Sequence, residues 1–122
     1  MKKISISEKF GKFSDHWSPR VIAESNGQLV KLAKGKGDLV WHSHANEDEL
    51  FLVFKGKLRL EFRDGEPVEL GPGEMCIVPK GVEHRPVAEE ETEIMLIEPA
   101  STQHTGETVS EQTVATDKQE WI

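Results

Sequence analysis

The chain has 122 residues and a mass of 13.7 kDa, enough for one domain built around a single core. Its 15 Lys+Arg stand against 22 Asp+Glu, a net charge of −7, which argues against a nucleic-acid binder that works by neutralising phosphates. No run of about 18 apolar residues suggests a membrane span, nothing behind Met1-Lys2-Lys3 reads as a secretory leader, and the single Cys76 cannot close an internal disulfide, so a cytoplasmic location is expected.

Residues 1–20 contain Phe10, Phe13 and Trp17, apolar enough to pack as an arm on the body. Short apolar runs then follow at 21–24, 28–33, 39–44, 50–54, 58–62, 67–70, 75–78, 84–87 and 93–98. Turn chemistry separates them: Asn26-Gly27, Lys34-Gly35-Lys36-Gly37, Lys55-Gly56-Lys57, Asp64-Gly65, Gly71-Pro72-Gly73 and Pro79-Lys80-Gly81. Asn26-Gly27 is the strongest hairpin signal, because both central positions of a type I′ turn need positive φ. With ten Gly, six Pro and no helical periodicity, the pattern predicts an all-β, closed or double-sheet body over residues 21–100. The tail, 101–122, is rich in Thr, Ser, Gln and Glu, and is expected to be loosely attached or to lie as an arm on another subunit.

The segment with the clearest chemistry is Trp41-His42-Ser43-His44-Ala45-Asn46-Glu47-Asp48-Glu49. On a strand, residues two apart share a face, so His42 and His44 present two imidazoles side by side. Glu49 opens the next run close to them, and a Pro79-x-Gly81 turn brings His84 as a third imidazole. Three neutral imidazoles and one carboxylate suit a divalent first-row metal and would leave net positive charge on the ion, the right sense for polarising a carbonyl or a bound water. Glu47 is the rival carboxylate; it and Asp48 read as solvated turn charge, and Glu83 as solvent-facing by alternation. His16 and His104 read as ordinary surface histidines, Cys76 as packing, and Trp41 as turned away from the metal face.

His42-x-His44-x4-Glu49-x6-Gly56, followed by Gly73-x5-Pro79-x-Gly81-x2-His84, resembles the paired motifs of the cupin superfamily. The short stretch from Lys57 to Pro72 matches the spacer of small single-domain bacterial cupins, and the two motifs together cover roughly residues 37–88. The whole chain is most similar to stand-alone cupins labelled mannose-6-phosphate-isomerase-like, a label of similarity and not of activity. Two departures stand out: Gly37 lies one residue nearer the first histidine than the family pattern places its glycine, and the family's Asn after the last histidine is Ala88. The resemblance implies a jelly-roll barrel of two antiparallel sheets, a metal (Fe, Mn, Zn or Ni) held by His42, His44, Glu49 and His84, and a homodimer.

Alternation places Glu49, Phe51 and Val53 on the inner face of one strand, and Leu60, Met75 and Val78 are expected to join Phe51 and Val53 in lining the cavity. The opposite face, Leu50, Leu52 and Phe54, is also apolar and needs a cover, from the N-terminal arm or from a second subunit, so a homodimer through these residues and the arms is expected. Leu58, Leu60 and Phe62 alternate cleanly with charged residues, and the change of parity across Lys55-Gly56-Lys57 predicts a bend or bulge.

The expected function is a metal-binding cupin that binds or transforms a small molecule in its barrel. No inward acid or base is apparent beyond the ligands and the chain has no Tyr, which places dioxygenase-like chemistry ahead of proton shuttling. A non-catalytic metabolite binder or sensor is the first alternative. A sugar-phosphate isomerase or epimerase is the second, with Lys80 and Arg85 as candidate phosphate holders.

Overall fold

The computed structural model describes residues 1–106 and 108–122. Among the described residues a short α-helix, α1 (Ile6–Phe10), precedes eight strands: β1 (Arg20–Ser25), β2 (Gln28–Asp38), β3 (Glu49–Lys55), β4 (Leu58–Phe62), β5 (Gly65–Leu70), β6 (Met75–Val78), β7 (His84–Pro99) and β8 (Glu120–Trp121), with a 3-10 turn at Thr116–Lys118 before β8. The Asn26-Gly27 turn joins β1 to β2 with φ of 53° and 77°, the left-handed pair that a type I′ hairpin demands.

Two long strands organise the rest. β7 pairs with β2 along nearly its whole length, from Gln28↔Pro99 to Asp38↔Val87. Its first half also pairs with β4, from Arg59↔Val87 to Phe62↔His84, and its second half with β3, from Leu50↔Ile97 to Val53↔Ile94. Two sheets therefore share β2 and β7: β5-β4-β7-β2 on one side and β6-β3-β7-β2-β1-β8 on the other. This is a jelly-roll barrel. The ladders are antiparallel except for β8, which lies parallel to β1.

The corner where the shared strands pass from one sheet to the other lies at two stretches expected to be breaks. Lys34-Gly35-Lys36-Gly37 does not end a strand, and Glu89-Glu90-Glu91 does not separate two. The β2–β7 register shifts between Gly35 and Gly37, opposite the acidic run, so the glycines bend the ladder instead of terminating it. Gly35 also admits the Trp17 ring, because a Cβ there would stand 2.6 Å from Cη2. The 39–44 run, expected as a strand, is an extended segment tied by one reciprocal bridge, His42 N–H to His84 O at 3.0 Å and His84 N–H to His42 O at 2.9 Å. The predicted bend after β3 is present: Gly56 has φ of 89°, and the β3–β7 register shifts between Val53 and Lys55.

The inner core packs Phe51, Val53, Leu58, Leu60, Leu70, Val78, Ile94 and Leu96 between the sheets. A second cluster lies outside, where Phe10 and Phe13 of the arm cover Ile22, Leu32 and Met95, with Leu52 and Ile97 at its margin. The arm thus supplies much of the cover that β3 needs: Phe10 reaches Phe54 at a ring separation of 5.9 Å. The C-terminal segment packs on its own barrel, correcting the expectation of a loose tail or an arm on another subunit. Thr102, His104 and Thr105 are buried, Thr108 Oγ1 donates to Trp41 O at 3.1 Å, and Gln112 Nε2 donates to Asp38 O at 2.9 Å. Hydrogen bonds from polar side chains hold this strap, and Ile122 packs on the outer apolar cluster.

Candidate metal centre

The reciprocal bridge between His42 and His84 fixes two imidazoles side by side at one end of the barrel, with ring centroids 4.4 Å apart. His44, two residues on, adds a third ring at 5.0 Å from His42 and 5.8 Å from His84, its carbonyl held by Gly81 N–H at 2.8 Å. Glu49, the first residue of β3, turns inward, and its Oε1 lies 3.4 Å from both His44 Nε2 and His84 Nε2. One ligand atom from each of the four residues falls within 4.8 Å of all the others, and all four residues are buried.

Local hydrogen bonds orient the donors. His42 Nδ1–H donates to Val40 O at 2.8 Å and His84 Nδ1–H to Val82 O at 2.9 Å, which leaves each Nε2 lone pair for the centre. His44 is buried with neither ring nitrogen hydrogen-bonded, since its contact with Glu49 is close but poorly aligned. A buried imidazole without a partner is costly in a protein interior and is relieved when a cation takes its lone pair. Three nitrogens and a carboxylate oxygen are a donor set for Fe, Zn, Mn or Ni, so the residues fit a divalent ion. His42 is already in the ligating form, because burial and the neighbouring His84 lower its pKa to about 4.

A buried polar chain behind Glu49 escaped the sequence reading. Lys31 of β2 is 0% exposed and Glu98 of β7 is 2% exposed, with Lys31 Nζ 2.8 Å from Glu98 Oε1 at an angle too poor for a good hydrogen bond. Burial and the adjacent Glu49 charge raise the Glu98 pKa well above the usual range. Burial alone would raise Glu49 too, but it is outweighed by Glu98, His44 and His84, which hold Glu49 well below its usual value. The two carboxyls are thus driven in opposite directions, Glu49 toward the charged form and Glu98 toward the protonated one. Strand alternation was the available signal, since Glu98 shares its face with Ile94 and Leu96, and Lys31 shares its face with Ala33.

A partly open cavity of about 30 Å³ adjoins the centre, bounded by His42, Glu49, Trp17, Phe51, Leu96 and His104. Among the residues expected to line it, Phe51 does so, while Val53, Leu60 and Val78 are packed in the inner core. Met75 is 52% exposed and faces outward with Ile77, because β6 turns Cys76 and Val78 toward the core and alternation sends Met75 the other way. His104, expected at the surface, is 8% exposed, and burial lowers its pKa to about 4. Of the larger surface hollows, one of about 340 Å³ between Arg59, Glu69 and Glu89 contains none of the four donors, whereas one of about 230 Å³ between Ala45, Glu47, Ser101 and Gln103 reaches His44.

Other sequence-level readings fall outside the centre. Glu47 accepts from Ser101 Oγ at 3.2 Å, Asp48 from Lys80 N–H at 2.9 Å, and Glu83 pairs with Arg63 at 2.7 Å. Trp41 packs against Arg63 and Arg85, whose guanidiniums lie 4.0 and 5.2 Å from its ring centroid. His16 pairs with Glu91 at 2.8 Å, and Cys76 packs half-buried against the core. No helix among the described residues is long and apolar enough to cross a membrane.

Known proteins share this arrangement of chain. A cupin-2 domain protein from Shewanella frigidimarina NCIMB 400 is 53% identical, with a TM-score of 0.77, over 79% of this chain and 93% of that one. Protein NMB1881 from Neisseria meningitidis is 32% identical, with a TM-score of 0.74, over 80% and 99% of the two chains. The uncharacterized protein YdbB of Bacillus subtilis (strain 168) is 38% identical over 80 residues, which are 66% of this chain and 65% of YdbB. The model of the Cupin domain family matches residues 28–99, the stretch that carries both histidine motifs and both shared strands, and the chain belongs to the cupin family.

Proposed function

We propose that the protein is a metal-dependent cupin that acts on a small, largely apolar molecule beside a divalent ion held by His42, His44, Glu49 and His84. The observation that carries this is the convergence of four buried donors within 4.8 Å, one of them an imidazole with no hydrogen-bond partner. When bound, the ion supplies Lewis acidity and, if it is iron, the capacity to activate oxygen. The protein's own residues do the rest: the carbonyls of Val40 and Val82 fix two ring orientations, and Glu98, itself beside Lys31, helps hold Glu49 in its charged form. Trp17, Phe51 and Leu96 exclude water from the adjoining space.

An apolar chamber beside an N3O donor set favours oxygen chemistry. Proton-transfer chemistry is the second reading, favoured by His104 in the cavity wall, an inward ring that sequence alone did not supply. Sugar-phosphate chemistry is disfavoured: Lys80 is exposed, and Arg85 is engaged with Glu61 at 2.6 Å outside the barrel. A non-catalytic metabolite binder would need the same pocket and no turnover.

Metal analysis of protein purified without chelator tests the reading. Iron would support oxygen chemistry and zinc or manganese Lewis-acid chemistry. Absence of metal, or full retention after His44→Ala, would overturn the metal assignment. Assembly as a homodimer belongs to the same proposal: half-buried Leu50 and exposed Phe54 lie on a face continued by exposed Met75 and Ile77 of β6. Sedimentation should show a dimer that Ile77→Asp weakens; a monomer at micromolar concentration would refute it.

A further inference from the structure

The strap beyond β7 brings one functional group into the cavity. We propose that His104 is the ligand-contacting hydrogen-bond donor of this site, presenting Nε2–H to a small anion or oxygen ligand held beside the four metal-binding side chains. The proposal rests on the metal reading above and adds a residue outside the family match, which ends at residue 99.

Three observations carry it. First, the His104 ring bounds the same cavity as His42 and Glu49. Second, its tautomer is set by the backbone: Val114 N–H donates to Nδ1 at 2.9 Å, so Nδ1 is the acceptor and the ring proton sits on Nε2. Third, the cavity has few competing donors. Leu39, Phe51, Ile94 and Leu96 are apolar, and the Trp17 indole N–H is committed to Lys36 O at 2.9 Å. A lone N–H in an apolar chamber discriminates for a ligand atom with an available lone pair.

The placement of His104 is built into the strap. Gly106, with φ of +55°, lies so close to the Ser43 carbonyl that any Cβ would collide with it, so the chain between the two ligand histidines and the strap are fitted to one another. Thr108 and Gln112 fasten the strap to Trp41 O and Asp38 O. The cavity of about 30 Å³ beside the donors suits a ligand of a few atoms.

Azide, a three-atom anion, is the probe. The full chain loaded with Co²⁺ is titrated with azide and followed by visible absorption, for the wild type, His104→Phe and His104→Gln. The expected result is an azide Kd about tenfold weaker for His104→Phe at equal Co²⁺ content, and close to wild type for His104→Gln, whose amide keeps an N–H donor. Equal azide affinity in wild type and His104→Phe, with Co²⁺ bound in both, would overturn the role of His104 and leave the metal centre standing. Failure of the wild type to bind Co²⁺ would overturn both. A second measurement needs no variant: long-range ¹H–¹⁵N spectra of the wild type should show His104 as the Nε2–H tautomer, with signals that shift when azide is added to the Zn²⁺-loaded protein. The Nδ1–H tautomer, or unshifted signals at saturating azide, would overturn the assignment.

Discussion

Acidification should weaken the metal-free protein through His104, by an amount its burial sets. The ring titrates near pH 6.5 when exposed and at about 4 when folded, because burial disfavours the cation. Between those values the unfolded chain binds the extra proton, so stability falls as pH drops through 6.5 and levels off below about 4. Integrating from about pH 7.5 to about pH 5 gives roughly 2 kcal/mol for this one group. Other groups titrate over the same range: His42 acts in the same direction, and the raised pKa of Glu98 acts in the opposite one. The quantity to measure is therefore a difference. Urea unfolding of chelator-treated wild type and His104→Gln at the two pH values should show the wild type losing about 2 kcal/mol more than the variant on acidification. A wild-type-minus-variant difference that stays constant with pH, within about 0.5 kcal/mol, would refute the argument that burial keeps this ring neutral.

Three further substitutions test other parts of the structure. Glu98→Gln should remove a stabilising contribution that grows on acidification, because the raised pKa makes the folded chain hold this proton more tightly than the unfolded one; a pH dependence of urea unfolding identical to wild type would contradict it. Gly35→Ala places a methyl against the Trp17 ring and should destabilise by about 1–3 kcal/mol with a changed near-ultraviolet circular dichroism band; an unchanged band would mean that Trp17 does not rest on β2. Gly106→Ala meets both a backbone carbonyl and a positive φ, and should raise amide exchange across residues 102–106 and 108–114 while β3 and β7 stay protected; unaltered exchange in the strap would contradict its close seat on Ser43.

The four donors were legible because their spacing reflects strand geometry: His42 and His44 share a face by alternation, and Glu49 and His84 recur at motif distances on neighbouring segments. The barrel was legible from its turn residues, with Asn26-Gly27 and Gly56 adopting the conformations their chemistry demands. Corners were misread as ends, since Gly35, Gly37 and the acidic run look like terminators locally and become bends only when a partner strand continues the ladder. Lys31 and Glu98 were legible only in parity, each sharing a strand face with apolar neighbours. His104 had no periodic signal, because the strap around it is irregular and its burial depends on contacts with Ser43, Trp41 and Asp38, more than 60 positions away in the chain.

The passage of β2 and β7 through both sheets has a consequence for how the molecule comes apart. Neither sheet can peel away without tearing two strands that the other also needs, so loss of the arm-side layer must carry the histidine end with it. The barrel should therefore open as a single cooperative block, with slow exchange at Leu32, Ala33, Ile94 and Met95 rising and falling together whichever end is perturbed.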